Sequence, residues 1–130
     1  MLDLTPRKNR DTESPIQAAI VVYLRRVLPD AIVHHSPNEG VRGGKGGLID
    51  GHKRKASGVL PGFPDILIFV GGSGYCLEVK SATGKLSTIQ RAVQGQILRQ
   101  GIPYAVVRSI DDARDVLALW GIKTIEASRG

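Results

Sequence analysis

The chain is 130 residues long, 42% of them apolar, which fits one domain with a core of its own and excludes a disordered tract. Eighteen Lys and Arg against 12 Asp and Glu give a formal charge of +6, pointing to a polyanionic partner, nucleic acid ahead of an acidic membrane surface. One cysteine excludes an internal disulfide, no Cys/His spacing suits zinc, and no apolar run suits a membrane span or a signal peptide, so a cytoplasmic setting is expected.

Residues 1–12 are polar and mixed in charge, and read as a loose arm. Ser14-Pro15-Ile16-Gln17 has the pattern of a helix start, with Ser14 as cap, Pro15 at the first helical position and Gln17 closing a capping box. Ile16, Ile20, Leu24, Val27 and Leu28 follow at helical spacing until Pro29-Asp30 stops the helix. Ala31 to His35 predicts a short strand. His34 and His35 at its end read as a polar strand end rather than a metal site.

Residues 36–62 differ in kind, with eight glycines interleaved with Arg42, Lys45, Lys53, Arg54 and Lys55. A flexible basic loop with room for one short helix fits this composition, and loops of that length are commonly functional or disordered. Its cations are spaced to meet phosphates along a strand, although a run such as Lys53-Arg54-Lys55 is more often a solvated face. Asn38 suits either a turn or a phosphate contact.

Asp65 to Val70 and Tyr75 to Lys80 predict two strands of a hairpin, joined by Gly71-Gly72-Ser73-Gly74. Ser87-Thr88-Ile89-Gln90 is a second capping box, opening a helix with Ile89, Val93 and Ile97 on one face and Gly101 past its end. Tyr104 to Val107 is an apolar strand. Ser109 to Trp120 is a last helix, with Ala113, Val116, Leu117 and Trp120 inward and Gly121 as its stop. The expected architecture is an α/β sandwich with a mixed sheet.

On a four-residue turn, Val70 faces Tyr75 and Asp65 faces Lys80. Alternation then sets Asp65, Glu78 and Lys80 on one face, with Asp65 diagonal to Glu78, among the apolar Ile66, Ile68, Leu77 and Val79. Two nearby carboxylates repel, and a hard cation relieves that while finding the oxygens it prefers. Such an ion polarises phosphoryl oxygens and activates water, and Lys80 beside it can orient water or stabilise developing charge. A cross-strand salt-bridge cluster fits the same geometry equally well, so the hairpin alone leaves both readings open. Cys76 shares that face at the far end of the strand, where a packed core thiol is the better reading than a nucleophile.

Gly62-Phe63-Pro64-Asp65, followed by Glu78-Val79-Lys80, resembles the PD-(D/E)XK nuclease pattern. Glu13 and Gln17, the Pro37-Asn38-Glu39-Gly40 stretch, Gly58 ahead of Gly62, and Ser87-Thr88-Ile89-Gln90 narrow the resemblance to the virus-type replication-repair nuclease family, VRR-NUC, over roughly residues 13–121. The resemblance implies a restriction-endonuclease-like core, a mixed sheet flanked by helices. It implies one nuclease domain over 13–122, with the 36–62 loop inserted and a tail from 123 to 130. By the same resemblance Asp65, Glu78 and the carbonyl of Val79 hold Mg²⁺ or Mn²⁺, and Lys80 assists the nucleophile. Glu13 and Gln90, which the residues alone explain as a dipole-favoured carboxylate and a capping partner, acquire site roles. The implied activity is metal-dependent endonucleolytic cleavage of DNA, selective for branched forms such as Holliday junctions or flaps, in DNA repair, with the cytoplasm of a phage-infected or bacterial cell as the expected setting. A homodimer is expected, with the Tyr104–Val107 strand and the last helix as candidate interfaces, because Val116, Leu119 and Trp120 widen that helix's apolar face. The alternative is a catalytically silent DNA-binding module of the same fold. No Gly-rich strand-to-helix turn suggests a nucleotide cofactor.

Overall fold

The computed structural model describes residues 13–36 and 58–126. The basic-loop residues Asn38, Arg42, Lys45, Lys53, Arg54 and Lys55 lie outside the described residues. In chain order the elements are α1 (Glu13–Val27), β1 (Ile32–His35), β2 (Ile66–Val70), β3 (Ser73–Val79), α2 (Thr88–Arg99), β4 (Tyr104–Val107) and α3 (Ile110–Leu119).

The four strands form one mixed sheet in the order β1-β2-β3-β4, antiparallel at the first two junctions and parallel at the last. Alternation gives the sheet two buried faces. On one, Val33, Ile66, Ile68, Leu77, Val79 and Val107 meet Ile20, Leu24 and Val27 of α1 and Ala113 and Leu117 of α3. On the other, Cys76 packs with Val93 and Ile97 of α2, joined by Phe63, Leu67, Ile102 and Tyr104. Cys76 is thus a core thiol, and burial pushes its pKa up to about 11, which leaves it a poor nucleophile.

The hairpin register corrects the expected one. Val70 pairs with Ser73, so the turn is Gly71-Gly72 alone, and Leu67 faces Cys76 where Glu78 was expected. Both turn glycines have positive φ, 59° and 78°, which suits the mirror-image turns that match strand twist in two-residue hairpins. A shift of two residues preserves which side chains share a face, so the grouping of Asp65 with Glu78 survives. Their relation changes: continuing the register sets Asp65 directly opposite Glu78, not diagonal to it.

The helix starts differ too. α1 includes Glu13, so Ser14 lies within the helix and is not its cap, and the Gln17 side chain turns to His35 Nε2 of β1. The capping box at α2 forms as expected, Ser87 Oγ accepting from the Gln90 N–H at 3.1 Å and Gln90 Oε1 accepting from the Ser87 N–H at 2.9 Å. Ile89, expected inward, is half exposed, because it sits over the Gly62 turn rather than against the sheet. In α3, Val116 packs toward the core and Trp120 stacks on Tyr75 at 5.1 Å between centroids. Leu119 alone of the three widening residues points out, 81% exposed, so the helix offers a narrower apolar face than expected. No helix among the described residues is long and apolar enough to cross a membrane.

Candidate active site

Asp65 enters the site at the start of β2. The Ser36 N–H donates to the Asp65 carbonyl at 2.7 Å, extending the β1–β2 ladder to it. Its side chain turns to β3, where Oδ2 accepts from the Val79 N–H at 2.8 Å. The carboxylate therefore takes the place of a backbone partner at the end of the hairpin, and the Val79 peptide lies against it.

Glu78 lies on the face that carries Cys76, under α2, and is only 1% exposed. Its Oε2 accepts from Gln90 Nε2 at 3.0 Å and has Lys80 Nζ at 3.8 Å. Its Oε1 is buried and has no hydrogen-bond partner among the described residues. Burial strips the carboxylate of water, and the Asp65 carboxylate adds repulsion. Together with a hydrogen bond that the protonated acid gives Asp65, they raise the Glu78 pKa from 4.5 to about 9, with Lys80 opposing and Glu13 adding a smaller push. Such a group holds its proton at neutral pH unless a cation arrives.

Glu13 reaches the same neighbourhood from the N-terminus of α1. A Cβ built on Gly84 would lie 3.3 Å from Glu13 Oε2 and 3.5 Å from Lys80 Cδ, so the carboxylate and the lysine stem flank one small residue. Gln90 closes the helix cap with its oxygen and donates to Glu78 with its nitrogen, so one side chain makes the cap and the contact with the acid together. Asp65, Glu78, Lys80, Gln90 and Glu13 thus converge at one end of the sheet.

Comparisons with known proteins bear on the family and the fold that carry this geometry. A family model described as the VRR-NUC domain matches residues 6–111. The chain belongs to the VRR-NUC domain family. It is accordingly a nuclease-type, DNA-processing domain. A solved structure titled "VRR_NUC domain protein" superposes with a TM-score of 0.65 and 22% sequence identity, covering 83% of this chain and 86% of that one, which supports the shared fold. No curated protein matches.

Three residues went unrecognised in the sequence. His35, read as a polar strand end, receives Gln17. Tyr104 pairs with Cys76 across the parallel junction and so lies on the Glu78 face. Its hydroxyl is buried without a partner among the described residues, and burial followed by the charges of Glu78 and Asp65 raises its pKa. A polar atom in an otherwise apolar strand was the available signal, but its face depends on a parallel register that no local pattern supplies. Arg108, just past β4, reaches the turn behind Lys80.

The donor set suits a hard divalent cation. Among the described residues no group of three or more His, Cys, Asp or Glu side chains is placed to hold a metal ion. Two carboxylates, one with an unpartnered oxygen, are what Mg²⁺ commonly takes from a protein, the remaining positions going to water and phosphate.

Proposed function

We propose that this domain hydrolyses DNA phosphodiester bonds with Mg²⁺ or Mn²⁺, held by Asp65, Glu78 and the carbonyl of Val79. The observation that carries the proposal is Glu78, buried against a second acid, with no donor for Oε1 among the described residues and a pKa pushed up to about 9, so that its ionised form lacks a counter-charge at that oxygen. Uncompensated, that arrangement is costly, and a cation at the two carboxylates is its natural complement. A bound ion would supply Lewis acidity toward a phosphoryl oxygen and toward water.

The chain's own groups do the rest. The Val79 N–H fixes the Asp65 carboxylate, and Gln90 fixes Glu78, so both oxygens are aimed before substrate arrives. The Lys80 ammonium, 3.8 Å from Glu78, stabilises charge on the attacked phosphate and orients the incoming water. Glu13 adds negative charge at the edge of the site. Asn38, Arg42, Lys45, Lys53, Arg54 and Lys55 are the proposed phosphate contacts, on sequence grounds alone.

Selectivity for junctions or flaps is part of the proposal, because the sequence carries no base-reading motif. A homodimer matches the two-fold symmetry of a junction, and sedimentation of the 14.0 kDa chain with and without junction DNA measures it. The deciding experiment incubates junction, flap, single-stranded and duplex DNA with Mn²⁺, Mg²⁺ or EDTA, beside Asp65→Asn. Asparagine keeps an acceptor for the Val79 N–H, which alanine would leave unpaired. Cleavage by wild type with either metal and its loss in the variant are expected; equal cleavage by Asp65→Asn refutes the site. The silent DNA-binding module predicts binding without cleavage, but a binder gains nothing from buried acids that repel phosphate.

A further inference from the structure

The turn after β3 is held by an arginine from another element. Arg108 Nη1 donates to the Ser81 carbonyl and, at 2.8 Å, to the Gly84 carbonyl. The arginine is itself anchored: its backbone N–H donates to Asp112 Oδ2 at 2.8 Å, and the Asp112 N–H donates to Ser109 Oγ at 3.0 Å in the cap of α3. At the near end of the turn, the Lys80 N–H donates to the Val107 carbonyl at 3.0 Å, and the Gly84 N–H closes on the Ser81 carbonyl at 3.1 Å. Residues 80–84 are therefore tied to the end of β4 at both ends.

That turn is a wall of the site. A Cβ on Gly84 would meet Ser81 Oγ at 3.1 Å, Glu13 Oε2 at 3.3 Å and Lys80 Cδ at 3.5 Å, so Glu13 and the lysine stem are seated against the same backbone. Lys80 is 8% exposed, held in a single place rather than sampling solvent.

We propose that Arg108 is a positioning residue for Lys80 and Glu13. It holds the carbonyls of Ser81 and Gly84, fixes the turn on which both side chains rest, and does not touch DNA. This rests on the nuclease reading and extends it to a residue outside the motif. The two N–H groups of Nη1 serve two carbonyls from one rigid, planar group, which a flexible ammonium reproduces poorly.

The test uses the full chain carrying Arg108→Ala, Arg108→Lys or Gly84→Ala, the last disturbing the same seat from the opposite side. Displacement of a reacting group by about an ångström costs on the order of 10²-fold in rate. Arg108→Ala is therefore expected to lose about that much kcat, and Gly84→Ala, whose Cβ asks Ser81 and Glu13 to give by only tenths of an ångström, a smaller share, both with KM for DNA and its salt dependence unchanged, and Arg108→Lys to recover part of the loss. Pulse acetylation read by mass spectrometry is expected to label Lys80 several-fold faster in Arg108→Ala than in wild type. Retained kcat with a lowered melting temperature would make the arginine a structural clamp only, and a raised KM with a shallower salt slope would make it a phosphate contact; either overturns the proposal. If wild type cleaves no DNA, the nuclease reading fails by itself and Lys80 labelling decides this one: an unchanged rate in Arg108→Ala, or in Arg108→Lys should the alanine variant not fold, overturns it.

Discussion

Replacing Glu78 by glutamine removes a charge that the folded chain accommodates badly, and the variant is expected to be more stable than wild type when divalent cations are absent. The Glu78 pKa stands at about 9 in the fold against an ordinary 4.5, so between those values the folded state holds a proton that the unfolded chain has released. Stability must therefore fall as pH rises through that window, and the penalty vanishes below 4.5, where both states are protonated. At about 1.4 kcal/mol per pH unit, the interval from 4.5 to neutrality sets an upper figure of about 3–4 kcal/mol. The proton is shared in part with Asp65, so a gain of roughly 1–3 kcal/mol at pH 7 is the working expectation. Glutamine keeps an acceptor for Gln90 Nε2 and presents an amide donor toward Asp65. Urea melts in EDTA at pH 5, 6, 7 and 8 read the effect: the two proteins should nearly coincide at pH 5 and separate steadily above it. Repeating the series with Mn²⁺ should favour wild type, since only the intact acid pair gains from mass action. A variant less stable than wild type at pH 7 in EDTA, or a gap that does not widen with pH, refutes the electrostatic account.

Gly62→Ala should lower stability by about 2 kcal/mol or more, because φ is +82° and the new Cβ would lie 2.6 Å from Ile89 Cγ2 and 3.0 Å from Ile89 backbone atoms; thermal melts measure it, and an unchanged midpoint would show that the turn relaxes freely. Because Ile89 is beside Gln90, the same variant should also lose cleavage rate at a temperature where it remains folded. Changing Lys53, Arg54 and Lys55 together to serine should weaken binding to every DNA form and reduce the slope of log K against log salt by up to about 2.7, as three lost phosphate contacts require. Fluorescence anisotropy across a salt series checks this, and an unaltered slope places the DNA elsewhere.

The grouping of the candidate site's two acids was legible in the sequence because strand alternation tolerates an even shift of register. A turn of four residues was expected and one of two was found, yet Asp65 and Glu78 stayed on one face because the discrepancy was even. What the motif could not convey was depth. Glu78 reads as a charged residue on a hairpin, and its burial comes from α2 lying across β3, a tertiary contact. Gln17 shows the same limit from the other side: its spacing from Ser14 satisfies a local capping rule, but His35 from β1 takes its side chain. Local rules held where both partners are local, as at Ser87 and Gln90, and failed where a distant strand competed. Arg108 carries no local pattern, Tyr104 carries only a polar atom in an apolar strand, and the parallel pairing of β3 with β4 brings both to the site.

The double engagement of Gln90 bears on how this chain can drift. One end of its amide completes a helix cap and the other restrains a buried acid, so neither task can be reassigned without disturbing the other. Glutamate keeps the cap but sets a third carboxylate against Glu78; asparagine keeps the chemistry but is a methylene short; alanine forfeits both. A compensating change at Ser87 could restore the start of α2 and would do nothing for Glu78. Position 90 should therefore be pleiotropic in any survey of variants, its effects on folding and on cleavage inherited together, so that recovery of one is not a route to recovery of the other.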